Sequence, residues 1–138
     1  MSKSSGLAMT TLSVQDAAAT ARDIKNDITN FQFSTPRAVQ DITGVDKSAK
    51  ETLLLLADFS VTLNGVFNPT TNQSHTVFST VPTTTVPRQT IITFGTSPAA
   101  TMTATCNFTD YQISRGNDGA LTWTAPGVLQ NGTAPAWT

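Results

Sequence analysis

The sequence predicts a mainly β chain with one short helix of consequence and one long inter-strand loop. Three observations carry this expectation. Apolar and polar residues alternate with period two through residues 58–68, 85–94 and 101–114. Threonine, stiff at its first torsion and suited to a pleated, half-buried surface, makes up about a fifth of the chain. Proline, glycine and Asn/Asp pairs bound the alternating runs, as turn residues do.

The first strand is expected over residues 9–15, where Leu12 and Val14 alternate with polar neighbours. Residues 16–20 read as a loose hairpin turn, because the alanine run is too short for an isolated helix. A second strand covers residues 21–24, and Asn26-Asp27 interrupts it. Residues 28–33 resume the pattern, with Phe31 and Phe33 on one face and Asn30 and Gln32 on the other. Pro36 suits an edge or a strand start, since it lacks a donor. Residues 38–43 extend again up to Gly44.

The most distinctive segment is Gly44, Val45, Asp46, Lys47, Ser48, Ala49, Lys50, Glu51, Thr52, Leu53, Leu54, Leu55 and Leu56. Ser48 and Glu51 have capping-box spacing, which marks a helix start. Four adjacent leucines cannot all face one side of a helix or a strand. One reading is a short buried helix or a strand buried on both faces. The other is a projecting loop whose leucines dock on a neighbouring subunit.

Residues 58–68 form the clearest strand, with Phe59, Val61, Leu63, Gly65 and Phe67 in phase, and Pro69 ends it. A helix is expected over residues 71–80, capped by Asn72 and stopped by Pro82. A strand over 85–94 puts Val86, Arg88, Thr90, Ile92 and Phe94 on one face. A turn over 95–99 leads to a long strand over 101–114, with Met102, Ala104, Cys106 and Phe108 in phase. Asn117-Asp118-Gly119 signals a tight hairpin, and residues 120–125 pair back across it. Residues 126–138 read as an extended tail, flexible or lying along a partner.

The 138 residues suit a single domain, 1–138. Only 12% of them are charged, about half the usual share for a globular chain, and the net charge is -1. A freely soluble monomer carries more charge, so the composition fits a surface covered by partners. Near-neutrality gives no electrostatic grip on nucleic acid. Thirteen charged side chains lie in residues 1–60; Arg88, Asp110, Arg115 and Asp118 are the remainder. That asymmetry suggests two faces or ends with different jobs. Residues 1–9 lack an apolar signal-peptide core, and no run reaches spanning length, so synthesis inside the cell and no membrane partner are expected.

Material for catalysis is thin. His75 is the single histidine and has no carboxylate or cysteine beside it in sequence. Cys106 shares a strand face with Met102 and Phe108 and reads as a small buried hydrophobe. One Cys and one His cannot make a zinc site. Asp16, Asp23 and Asp27 lack the spacing of a calcium loop, and Asp16 and Asp27 suit turn capping. No catalytic, cofactor or metal residue is expected.

The run Thr43-Gly44-Val45-Asp46-Lys47-Ser48-Ala49-Lys50-Glu51-Thr52-Leu53-Leu54-Leu55-Leu56-Ala57-Asp58-Phe59, continuing to Asn68, resembles the central segment of bacteriophage tail tube (major tail) proteins of long-tailed, siphovirus-like phages. Ala21-Arg22-Asp23-Ile24 after the first strand is a weaker likeness. The resemblance implies a β-sandwich or barrel-like fold with a flanking helix. It implies six-membered rings stacked into a hollow tube, a virion part made in the host cytoplasm and bound to itself and to other tail proteins at the tube ends. Genome DNA would pass through without specific binding. It also implies that residues 42–56 reach an adjacent ring. A tail terminator, head–tail connector or capsid decoration protein, or a monomeric sugar- or peptide-binding β-sandwich, are the competing readings.

Overall fold

The computed structural model describes residue 3, residues 5–96 and residues 98–138. Ser97, in the turn expected over 95–99, and Met1, Ser2 and Ser4 lie outside the described residues. The strands are β1 (Met9–Gln15), β2 (Ala21–Asp23), β3 (Ile28–Ser34), β4 (Arg37–Asp41), β5 (Thr52–Ala57), β6 (Ser60–Val66), β7 (Arg88–Phe94), β8 (Ala100–Phe108), β9 (Gln112–Arg115), β10 (Leu121–Leu129) and β11 (Ala136–Trp137). The α-helix is α1 (Ser74–Phe78), and 3-10 turns occupy Gly6–Ala8 and Lys25–Asp27. The chain is mainly β, as expected.

Antiparallel ladders join β2-β1-β7-β8-β10-β6-β3 into one sheet, with β11 added to β8 and β9 to β10. This sheet works as two layers. Along one edge β10 pairs first with β9, through residues 121–124, and then with β8, through residues 127–129. One layer is therefore β3-β6-β10-β9 and the other β2-β1-β7-β8-β11. They share a core of Leu12, Val14, Ile92 and Met102 from one side and Val61, Leu63, Trp123 and Ala125 from the other. Phe31 and Phe33 of the first layer lie 6.1 and 6.4 Å from the Phe94 ring of the second. Four residues carry the chain from the edge of one layer, β2, to the edge of the other, β3. Among the described residues no ladder joins β2 to β3, so the barrel stays open there.

The alternation pattern sorts the core correctly, but several boundaries differ. The long strand expected over 101–114 breaks at residues 109–111 into β8 and β9. That break lies opposite Pro126, whose carbonyl accepts from Thr109 N at 3.1 Å. A proline cannot donate to a ladder and sits where the ladder is interrupted. The chain does not leave the sheet at Pro126: β10 runs on to Leu129, and β11 pairs with Met102 and Thr103. Pro87 delays β7 to Arg88.

The helix is shorter than the expected 71–80. Asn72 does not cap it, because its φ of 68° puts it in the left-handed region. The capping oxygen comes instead from the crossover turn. Buried Asp27 accepts from Ser74 N at 3.0 Å and from Asn68 Nδ2 at 2.8 Å. A Cβ on Gly65 would collide with the Asp27 carbonyl and the Trp123 ring, which accounts for glycine there. The Trp123 indole N–H reaches the Val66 carbonyl at 3.0 Å, and Phe78 from α1 packs on Trp123 and Phe108 at 5.2 and 5.1 Å.

Arg88 enters the core and ends on oxygens. Its Nη1 donates to the carbonyls of Val77 (2.8 Å) and Gln15 (3.1 Å), and its Nη2 to the Thr80 hydroxyl (2.8 Å). Burial lowers the guanidinium pKa, and the negative charge of Asp16 opposes that shift. Asp16 closes the β1–β2 turn, accepting from Ala18 N, Thr20 N and Arg22 Nε at 2.9, 3.1 and 3.1 Å. Burial pushes its carboxyl up, but the bonds from Thr20, Arg22 and Ala18 outweigh this and hold it below the ordinary 3.8.

Two stability outcomes follow from these anchors. Asp27→Ala should cost about 1–3 kcal/mol in urea unfolding, because Ser74 N is left buried without its acceptor. Asp16 has a depressed folded-state value, so its contribution is complete above 3.8 and lost as pH falls through the folded value. Asp16→Asn should thus lower stability at neutral pH and flatten its decline below about pH 4, measured as thermal midpoint against pH.

Candidate functional site

Between Pro36 and Asp58 the chain leaves the body as a two-stranded arm, closed at its root by the Asp58 N–H to the Pro36 carbonyl at 2.9 Å. Strands β4 and β5 pair only with each other among the described residues. Val39 lies opposite Leu54, Gln40 opposite Leu53, and Asp41 opposite Thr52. The register shifts between Val39 and Arg37, so Leu55 and Leu56 together oppose Ala38, the two-against-one count of a β-bulge. The Arg37 guanidinium donates twice to the Leu55 carbonyl, at 3.0 and 2.7 Å.

The arm's tip is built from polar contacts. The Thr43 hydroxyl and N–H donate to Asp41 and hold its carboxyl below the ordinary range, and Glu51 N donates back to Thr43 Oγ1 at 2.8 Å. Lys47 N bonds to the Gly44 carbonyl, making a turn with fully exposed Val45 at its apex. Lys47 Nζ stands 3.9 Å from Asp46 and 4.0 Å from Glu51. These distances and exposures describe solvated pairs worth little. Ser48, Ala49 and Lys50 are exposed and form no helix, so the capping-box spacing misleads. With no tertiary face to cover a helix starting there, the backbone stays irregular.

Leu53, Leu54, Leu55 and Leu56 all lie on β5 and none is buried; Leu56 is 88% exposed. Val39, opposite Leu54, and Ile42 are exposed as well. Val39 escaped the sequence reading, because β4 acquires its role only through the register that sets it beside the leucines, whereas Ile42 lay within the 42–56 segment. Exposed apolar residues on a projecting arm make it the candidate interaction surface.

Two further surfaces are unpaired sheet edges. Among the described residues β3 and β9 each pair on one side only, leaving both margins of the β3-β6-β10-β9 layer open. Neither edge is blunted by an internal proline, and β3 carries no charge.

The chemistry-bearing side chains are placed apart from the arm. His75 Nδ1 lies 3.2 Å from the Tyr111 hydroxyl, and its ring packs 4.9 Å from Phe67. Burial raises the Tyr111 pKa, and the Asp27 charge adds to the rise. The adjoining recess, about 350 Å³, is mostly apolar and includes Val81, Pro82 and Ile113. Cys106 is wholly buried, and burial pushes its thiol up to about 11. Such a thiol is protonated at neutral pH and is a poor nucleophile. Among the described residues no cluster of three His, Cys, Asp or Glu could hold a metal, and no helix is long and apolar enough to cross a membrane.

The Cys106 environment yields a direct check. Alkylation by iodoacetamide at pH 8 should be negligible on the folded chain and rapid in urea. Cys106→Ala should cost about 1 kcal/mol or a little more, and neither it nor His75→Ala should change the assembly state seen by electron microscopy.

No protein-family model and no curated protein matches this chain. Solved structures do. A chain in the virion of a native gene transfer agent particle superposes with a TM-score of 0.69 at 13% identity, covering 99% of each chain. A chain in the tail of an empty gene transfer agent particle, solved with C6 symmetry, matches with the same TM-score, identity and coverage. At this identity the likeness establishes the fold: the chain has, over nearly its whole length, the architecture of a chain found in a gene transfer agent tail.

Proposed function

We propose that this chain is the tail tube subunit of a phage-like particle, a structural virion protein without catalytic work of its own. Six copies form a ring, and rings stack into the hollow tube through which DNA leaves the particle. The observation that carries this reading is fold likeness over 99% of both chains to a component of a six-fold symmetric tail. The open β3 and β9 margins suit it. They are different edges, so β9 of one copy meeting β3 of the next is a heterologous contact that closes into a ring when the rotation allows.

The arm supplies the second direction. Its leucines are exposed on the isolated subunit and become covered when the arm lies on the adjacent ring. Burying one leucine fully is worth about 1.5–3 kcal/mol, so a half-covered set repeated around a ring gives a firm joint. Head-to-tail stacking of rings has no closing rotation and yields an open filament. Other tail proteins would meet the exposed ring at each end. The chain is made in the host cytoplasm and resides in the virion tail.

Deleting residues 46–51 tests the arm while sparing the body. The variant should keep its β-type circular dichroism and thermal midpoint but stop at rings or monomers in negative-stain images, where the native chain forms tubes. Tubes of normal length from the deletion variant would return the leucines to a role within the subunit. A native chain that stops at one ring under all conditions would favour a terminator or connector.

A further inference from the structure

We propose that the bare face of the β3-β6-β10-β9 layer is an uncharged lining for the bore of the assembled tube, fitted to duplex nucleic acid that passes without being held. This rests on the tube reading above. One face of the layer looks into the core through Phe33, Val61, Leu63, Trp123 and Ala125. The opposite face is set by register. One row across the four strands reads Gln112, Thr124, Asn64, Asn30. Beside it lie Thr62 with Gln32, Ser60 with Ser34, and Ser114 with Thr122. No member of these rows is ionisable. The four strands contain a single charged residue, Arg115, whose register partner Leu121 is in phase with core-facing Trp123.

The polar groups of this face are partly spent on one another. The Thr124 hydroxyl donates to Asn64 Oδ1 at 2.8 Å, Asn64 Nδ2 donates to Asn30 Oδ1 at 2.6 Å, and the Ser34 and Ser60 hydroxyls meet at 3.1 Å. A protein-docking face would carry an apolar centre. Here the apolar members are Pro126, half-buried beside Thr62, and Val66 and Val128 at opposite ends of the layer, so they do not gather into a cluster.

Geometry assigns the direction. The second layer and α1 cover the core face, so nearly all the bulk of a copy lies on one side of the four-stranded layer. Layers joined edge to edge form a closed wall. Bulk on the inside would fill the channel, whereas a hollow wall carries it outside and turns the bare face to the axis. Lysine or arginine there would retain phosphates by counterion release, and carboxylates would repel them. Hydroxyls and amides do neither and keep the wall wet.

The test uses tubes of the full chain with Thr62→Cys in a Cys106→Ala background, and Gln32→Cys as a second probe site. In tubes each cysteine should react with a small maleimide but resist one carrying a bulky polyethylene glycol chain; in dissociated subunits both reagents should react. Labelling of tubes by the bulky reagent would put the face outside and overturn the assignment. Protection from both reagents, or failure of both variants to assemble when Cys106→Ala does, would make it a subunit contact and overturn it equally. Native tubes should retain no short duplex DNA at low salt. Thr62→Lys tubes should retain it with an affinity that falls on the order of 10³-fold up to physiological salt, as roughly six phosphate contacts would give. Salt-sensitive retention by native tubes would sink the neutral lining alone. Absence of tubes from the native chain would sink the tube reading itself.

Discussion

Along a single edge β10 hydrogen-bonds first to β9 and then to β8, and this exchange of partners turns one sheet into two facing layers. Neither layer alone could bury its apolar side, and a strand that keeps one partner throughout would leave the sheet open and flat. The exchange happens at Pro126, where the ladder has no donor to offer and the chain between β8 and β9 can step aside. From that point follow the shared core, the seat of α1 on Trp123 and Phe108, and the open margins at β3 and β9. The short crossover from β2 to β3 then pins the other side. Its Asp27 reaches forward to Ser74 and Asn68, so one carboxylate ties the crossover to the helix start.

Charge is distributed in a way that matches assembly more than solubility. The body's layers are surfaced mostly by threonine, serine and amides, while the ionic groups sit in turns, in β2, at the end of β9 as Arg115, and on the arm. Arg88 is the exception, and it shows the cost of a buried cation: its guanidinium needs two carbonyls and a hydroxyl to replace water. A threonine surface wets without fixed charge.

The arm has the opposite character. Its two strands are held by their own ladder, by Arg37 and by the Asp58 N–H to the Pro36 carbonyl at the root. An ordered arm loses less conformational freedom on docking than a disordered one. Its leucines protrude on both faces of a two-stranded ribbon, and such a ribbon is marginal alone in water.

Much of this was legible in the residues themselves. Period-two alternation identified which side chains of β6, β7 and β8 face the core, because a strand's geometry imposes that period whatever its neighbours are. The burial of Cys106 was legible too, since its strand phase placed it among Met102 and Phe108. The leucine run announced an oddity, as four adjacent apolar residues must present two faces. Local signals failed where a distant residue decided the matter. Ser48 and Glu51 have the spacing of a helix start, yet no surface lies there to stabilise a helix. Asn72 looks like a cap, yet Asp27, far away in sequence, takes that role. The 101–114 run alternates without a break, yet Pro126 on the facing strand forces one. Pairing and capping across the chain depend on which elements meet, and only the folded structure brings Asp27 to Ser74 and β10 to both of its partners.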